Sequence, residues 1–299
     1  MSPYDRRQVD LTDETASWTH VARQVGRDAD VLDLGCWDGL LLATLAERAG
    51  CRGVGVERDP DAAARARARG VEVVAADLDD PAWPAALGGR RFDVVILADV
   101  VEHVRDPHAV LVAIRDHALA PNGRVVLSVP NVAHGSVRIG LLLGAFERGD
   151  EGILDRTHLH FWTRDTFHAV LARAGLGVAV EARVEKPLQP EVVRKALERA
   201  GLASDALVRH LVDDPDARTF QWVVTANADA AARPPSPAPP LHRDPLRVGD
   251  RAIARHVRKI GELQARVRVL EEGGPLGWVR YLKLKWRQRR ARRDDARRG

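Results

Sequence analysis

The chain has 299 residues, 45% hydrophobic and 29% charged, which suits one large α/β domain and excludes a disordered polymer. Its net charge of +4 is uneven: ten Lys/Arg against two Asp put +8 on Leu276–Gly299, leaving −4 on the rest, so a near-neutral body carries a basic tail. Two cysteines, Cys36 and Cys51, exclude a disulfide framework, Met1–Asp10 has no apolar leader behind it, and no apolar run nears the roughly 18 residues of a membrane span, so a cytoplasmic location is expected.

In chain order, Thr12 is placed to cap a helix on which Trp18, Val21, Ala22 and Val25 recur at helical spacing. Short apolar runs follow at Asp30–Leu34, Gly53–Glu57, Val71–Ala75, Phe92–Ala98 and Gly123–Val129. Helical stretches at Leu40–Ala49, Pro60–Arg69 and Pro107–Leu119 alternate with them. Runs apolar on both faces that alternate with helices predict a doubly wound, mostly parallel sheet. Asn131–His160 is looser, with glycines and three histidines. A helix is expected from Thr163 to Ala174, stopped by Gly175. Val178, Val180, Ala182 and Val184 at period two, with Phe220–Thr225, predict two last strands paired antiparallel at the sheet edge. Between them Pro190–Ala200 and Ala203–Val212 read as an inserted helix pair.

Ala230–Pro245 holds six prolines and reads as a semi-rigid linker. Beyond it Ile253, Val257, Ile260, Leu263, Val267 and Leu270 form a helical seam just short of three heptads. The expected layout is a catalytic domain over 1–228, a linker over 229–248, and a helix or short coiled coil with its basic tail over 249–299.

The sharpest signal is Val31-Leu32-Asp33-Leu34-Gly35-Cys36-Trp37-Asp38-Gly39, a buried strand that runs into a glycine-flanked turn opening a helix. Gly35 lets backbone approach a ligand, Gly39 permits tight passage into the helix, and Asp33 can accept a hydrogen bond from a cationic amine. A nicotinamide-binding turn needs G-x-G-x-x-G, and no glycine lies between Gly35 and Gly39. Glu57 ends the next strand, where a carboxylate can take both hydroxyls of a ribose. Asp77, just past the third, can meet an adenine amino group, with Leu78 over the ring. Three successive strand ends thus offer partners for an amino acid, a ribose and an adenine.

These residues resemble the class I S-adenosylmethionine-dependent methyltransferase signature, with Asp33-Leu34-Gly35-Cys36 as its first motif and Glu57 as the ribose acid. Phe92–Pro107 resembles the fourth-strand segment of ubiquinone/menaquinone-biosynthesis-type methyltransferases. The resemblance covers about residues 15–228 and implies a seven-stranded Rossmann-like sheet and S-adenosylmethionine as cofactor. The cofactor residues it implies are Asp33, Gly35, Cys36, Gly39, Glu57, Arg58, Asp77, Leu78 and Ala98. Trp37 departs from the pattern, which has a second glycine there, and its ring should crowd the turn.

Methyl transfer to a hydroxyl is an in-line displacement that needs aligned reactants and a base. Glu102-His103, after the fourth strand, shapes a helix start in the resembling family. His134, after the fifth, is better aimed. Gly152–Trp162 resembles a substrate-side stretch of methyltransferases linked to glycan or secondary-metabolite synthesis. There His158 and His160, two apart, should share a face, with Asp155 as orienter. The expected base set is therefore His134, His158, His160 and Asp155. The last three are also compatible with a metal, but none is expected. The predicted activity is O-methylation of a small molecule or glycan. Two other readings stay open: a cofactor-binding scaffold without turnover, and a nucleic-acid methyltransferase brought to its target by the tail. Against the latter, Ala98-Asp99-Val100-Val101 lacks the Pro-Pro-aromatic turn on which a flipped base stacks.

On the tail, Leu276, Val279, Leu282 and Trp286 lie near one helical face, with Arg and Lys elsewhere. That pattern suits docking on an anionic membrane surface, peripheral to the inner face, and equally a solvated basic extension. Self-association through the preceding helix is the remaining partner expected.

Overall fold

The structure, a computed structural model, describes residues 9–228. The linker, helical seam and basic tail expected beyond 228 lie outside the described residues. Seven strands form one sheet: β1 (Asp30–Leu34), β2 (Arg52–Glu57), β3 (Glu72–Ala75), β4 (Phe92–Ala98), β5 (Leu119–Pro130), β6 (Leu176–Glu185) and β7 (Thr219–Ala228). Their order is β3-β2-β1-β4-β5-β7-β6. The first five run parallel, and β7 is antiparallel to both β5 and β6. The chain steps outward from β1 through β2 to β3, then returns to the other side of β1 to add β4. That reversal opens a crevice at the carboxyl ends of β1 and β4, where doubly wound sheets bind ligands.

Helices cover both faces. The helices before β4 are α1 (Ser17–Val25), α2 (Leu40–Ala49) and α3 (Pro60–Ala68). Between β4 and β6 come α4 (Pro107–Ala113), α5 (Gly135–Leu142) and α6 (Arg164–Arg173), and between β6 and β7 come α7 (Pro190–Arg199), α8 (Asp205–Asp213) and the one-turn α9 (Pro215–Arg218). Alternate residues of the central strands feed opposite cores. Leu32, Leu34, Val95, Leu97, Leu127 and Trp222 point to one face. Val31, Val94, Ile96, Val126 and Val223 point to the other. Burial on both faces is why these strands read as unbroken apolar runs.

Several helix ends follow their local chemistry. Asp59 caps α3 by accepting the Ala62 N–H at 2.8 Å, with Pro60 in the first helical position. Thr163 and Thr166 form a reciprocal capping box on α6. Phe167 and Leu171 of that helix are fully buried.

Four local expectations are corrected. Thr12 caps nothing: its hydroxyl donates to Asp10 at 2.7 Å, and α1 begins five residues later at Ser17. The helix expected over Pro107–Leu119 is α-helical only to Ala113 and continues as a π turn, Ile114–Ala118. The loose Asn131–His160 stretch contains α5, capped by His134. The period-two row in β6 does not share a face. A register shift between Val178 and Val180 sends Val178 to one core and Val184 to the other, leaving Val180 52% exposed.

Candidate active site

The first motif builds the crevice from its backbone. Gly35 and Gly39 have φ of 73° and 72°, the left-handed region that an L side chain rarely adopts. A Cβ at Gly35 would stand 2.8 Å from Val100, and one at Gly39 2.8 Å from Ala66. The Gly35 and Cys36 N–H groups donate to Val56 O, which ties the turn to β2. The Cys36 thiol is buried in the core against Gly55, where an added Cβ would stand 2.3 Å from it, so Cys36 faces the crevice with its backbone.

Asp33 lies at register with Gly55 on one side and Ile96 on the other, at the centre of the crevice. It is 3% exposed, and among the described residues no hydrogen bond to its carboxylate offsets that burial. Burial, with Glu57 as a like charge nearby, pushes its carboxyl up to about 8. A buried carboxyl without a partner is the arrangement a bound cation would complete.

Glu57 ends β2, 7% exposed, its two oxygens accepting the N–H groups of Trp37 at 3.0 Å and Asp59 at 2.8 Å. Each oxygen keeps a lone pair for a ribose hydroxyl. Trp37 takes φ 50°, and its ring lies under the Arg65 guanidinium of α3, 5.3 Å from the ring centroid. The turn therefore accepts a bulky residue where the pattern has glycine. Past β3, Asp77 is exposed and 3.5 Å from Arg58, while Leu78 packs against the core. Ala98 ends β4. The strand tips carrying Asp33, Glu57 and Asp77 are adjacent in the sheet, as the expected cofactor cradle requires.

The acceptor side differs more from expectation. His134 is 3% exposed, with Nδ1 2.8 Å from the Ser136 hydroxyl and Nε2 2.8 Å from Lys186 O. Both ring nitrogens are occupied in capping α5 and anchoring β6, so neither is free to take a proton. His160 Nε2 lies 3.0 Å from Val104 O and its ring stacks on Trp162. It pins the loop and shares no face with His158. Asp155 is buried and closes a turn by accepting from the Thr157 N–H and hydroxyl at 2.7 and 2.6 Å.

His158 turns inward and meets Glu102 and His103. Those two do not start α4, which is capped instead by Asp106 accepting the Ala109 N–H. Glu102 is 0% exposed, and among the described residues neither carboxylate oxygen has a hydrogen-bond partner. Burial, then the charges of Asp99 and Asp155, hold its carboxyl well above the usual range. Burial also lowers His103, and His158 beside it lowers it further.

Sequence reasoning missed how Asp99 is held. It has φ 58° at the end of β4 and accepts from Ser128 of β5 at 2.9 Å and Gln221 of β7 at 2.8 Å. Nothing local signals partners so remote in sequence. An Asp just past a strand tip was the one visible cue.

A family model described as a methyltransferase domain matches residues 8–180, more than half of the chain. A ubiquinone biosynthesis O-methyltransferase of Cereibacter sphaeroides is 34% identical over 154 residues, covering 49% of this chain and 59% of the relative. One from Dinoroseobacter shibae is 36% identical over 124 residues, covering 37% and 48%. The chain thus matches about half the length of these curated relatives. Among solved structures, magnesium protoporphyrin IX methyltransferase from Synechocystis PCC 6803 aligns with a TM-score of 0.49 and 16% identity, over 76% of this chain and 91% of that one.

Proposed function

The chain belongs to the methyltransferase-domain family as a class I S-adenosylmethionine-dependent methyltransferase, and from that premise we propose that it methylates a hydroxyl oxygen of a small molecule or glycan. The catalytic unit we assign is residues 1–228. The observation that carries the site assignment is Asp33: a buried, unpartnered carboxyl at the point where the strand order reverses. In this reading Asp33 takes the cationic amine of the cofactor, Glu57 its ribose hydroxyls, and Asp77 with Leu78 its adenine. The Gly35 and Gly39 turn supplies the close backbone approach. When bound, the cofactor supplies an electrophilic methyl group on a sulfonium.

The oxygen acceptor is favoured by the curated relatives, which are O-methyltransferases. As the new O–CH3 bond forms and the C–S bond breaks, the hydroxyl must give up its proton. Both His134 ring nitrogens are engaged and His160 braces Val104 away from the cluster, so activating the hydroxyl is assigned to the Glu102, His103 and His158 group. A small-molecule acceptor is supported by a cavity of about 370 Å3 lined by Val137, Gly140, Ile153, Leu154 and Phe220. Ile153 O also receives His158 Nδ1 at 3.0 Å, which links that cavity to the group.

The test is transfer of a labelled methyl group from S-adenosylmethionine into fractionated cell extract, followed by identification of the labelled product. A methyl ether supports the reading; label on nitrogen or carbon overturns the choice of acceptor atom. Isothermal titration with S-adenosylhomocysteine tests the site itself: Asp33→Ala and Glu57→Ala should each lose binding with the fold retained, and wild-type affinity in both would refute it.

A further inference from the structure

Glu102, His103 and His158 come from two segments distant in sequence, the turn after β4 and the loop before α6. They present potential ligand atoms that all lie within 4.8 Å of one another. Two backbone bonds lock these segments together: Leu159 N–H and His160 N–H both donate to Glu102 O, at 2.8 and 3.2 Å.

The two imidazoles meet edge to face, with ring centroids 4.8 Å apart, and each turns the same nitrogen to a backbone carbonyl. His158 Nδ1 lies 3.0 Å from Ile153 O, and His103 Nδ1 lies 3.3 Å from Thr157 O. A carbonyl oxygen can only accept, so Nδ1 is the protonated nitrogen in each ring and Nε2 keeps its lone pair. Metal-binding histidines are held in this way, with the second ring nitrogen donating to a backbone carbonyl.

The Glu102 carboxylate gives an independent indication. It is completely buried, yet neither oxygen has a hydrogen-bond partner among the described residues. An isolated ionised carboxylate is costly in such a place and needs a cation or a proton. Asp99 and Asp155 add further negative potential at Glu102, which a bound cation would offset.

We propose that Glu102, His103 and His158 form a binding site for one divalent transition-metal cation. One carboxylate oxygen and two neutral imidazole nitrogens suit zinc-like ions, whose ligands stand about 2.0–2.2 Å from the metal. Ligand atoms around such an ion are about 3.4 Å apart, so the three side chains draw together by roughly 1 Å on binding. Three protein ligands leave a further position for water or an acceptor oxygen. Only that last use of the site rests on the oxygen-acceptor reading; the metal site itself stands without it.

The test uses the full chain, stripped with a chelator and titrated with Co2+ while visible absorption is followed, then with Zn2+ by calorimetry. Saturation at one ion per chain is expected, with Co2+ bands that Zn2+ abolishes. Glu102→Gln keeps the shape of the side chain and removes its charge, and His158→Ala removes a ligand. Each should weaken binding at least tenfold, whereas His210→Asn, far along the chain on α8, should not. S-adenosylhomocysteine affinity, measured on the same samples, separates the two readings. Retained cofactor binding shows that the variants are folded. Loss of cofactor binding by the wild type would defeat the cofactor assignment and leave the metal result standing. The proposal is overturned if the wild type shows no saturable binding. It is equally overturned if both variants bind like wild type, which would leave a proton as what neutralises Glu102.

Discussion

Asp33→Asn is expected to act in two opposite directions, stabilising the ligand-free protein and weakening its hold on the cofactor. With its carboxyl pushed up to about 8, folded Asp33 keeps a proton that the unfolded chain, near 3.9, gives up. Below about pH 4 both states are protonated and the group contributes nothing. Between about 4 and 8 the unfolded state alone ionises, so stability falls as pH rises, at up to about 1.4 kcal/mol per unit. The ceiling is about 5–6 kcal/mol at pH 8, and Asn, which never ionises, removes that dependence. Binding runs the other way. A cationic amine favours the ionised carboxylate, so wild-type Asp33 must release its proton to bind. That costs about 2 kcal/mol at pH 6.5 and little at pH 8.5. A hydrogen bond to a charged group contributes about 1.5–3 kcal/mol, so Asn should bind roughly ten- to a hundredfold more weakly at pH 8.5, with the gap nearly closed at pH 6.5. The assay is calorimetric titration with S-adenosylhomocysteine at the two pH values, paired with urea unfolding of the ligand-free proteins. The ligand's own amine titrates identically against both proteins, so the difference between them isolates Asp33. Parallel affinity profiles, together with no gain in stability for the variant at pH 8.5, would refute the placement of Asp33 against a cation.

Three further outcomes follow from single contacts. Gly35→Ala forces a left-handed φ and a Cβ 2.8 Å from Val100; it should cost about 1–3 kcal/mol in thermal unfolding and abolish cofactor binding by calorimetry. Asn131→Leu removes two 2.8 Å bonds from its buried amide to Asp216 O and Thr219 O, and denaturant unfolding should register a loss of about 2–4 kcal/mol. His134→Ala should lose about 2–4 kcal/mol, as a broken cap and a lost buried partner of Lys186 O, and leave S-adenosylhomocysteine affinity unchanged; a large loss of affinity would return His134 to the site.

The strands and their order of chemistry were legible in the sequence because burial on both faces leaves unbroken apolar runs, and because a strand tip is a local feature. Asp33-Leu34-Gly35 and Glu57 could be placed at strand tips from their immediate neighbours alone. Helix caps such as Asp59 and Thr163 close within three residues, yet the one cap expected from sequence, Thr12, caps nothing. The acceptor side was not legible. His134, His158 and His160 look equivalent along the chain, yet the first caps α5, the second meets Glu102, and the third braces Val104. Which ring nitrogen stays free depends on carbonyls supplied by other segments, and no spacing rule encodes that.

By itself the sequence determined a parallel α/β sheet with acidic residues at successive strand tips, since each depends on residues only a few positions apart. Tertiary structure alone decided that Glu102 is buried without a partner and that a histidine from a loop 56 residues later closes on it. The reason is that desolvation and side-chain convergence are properties of packed segments, and chain order does not carry them.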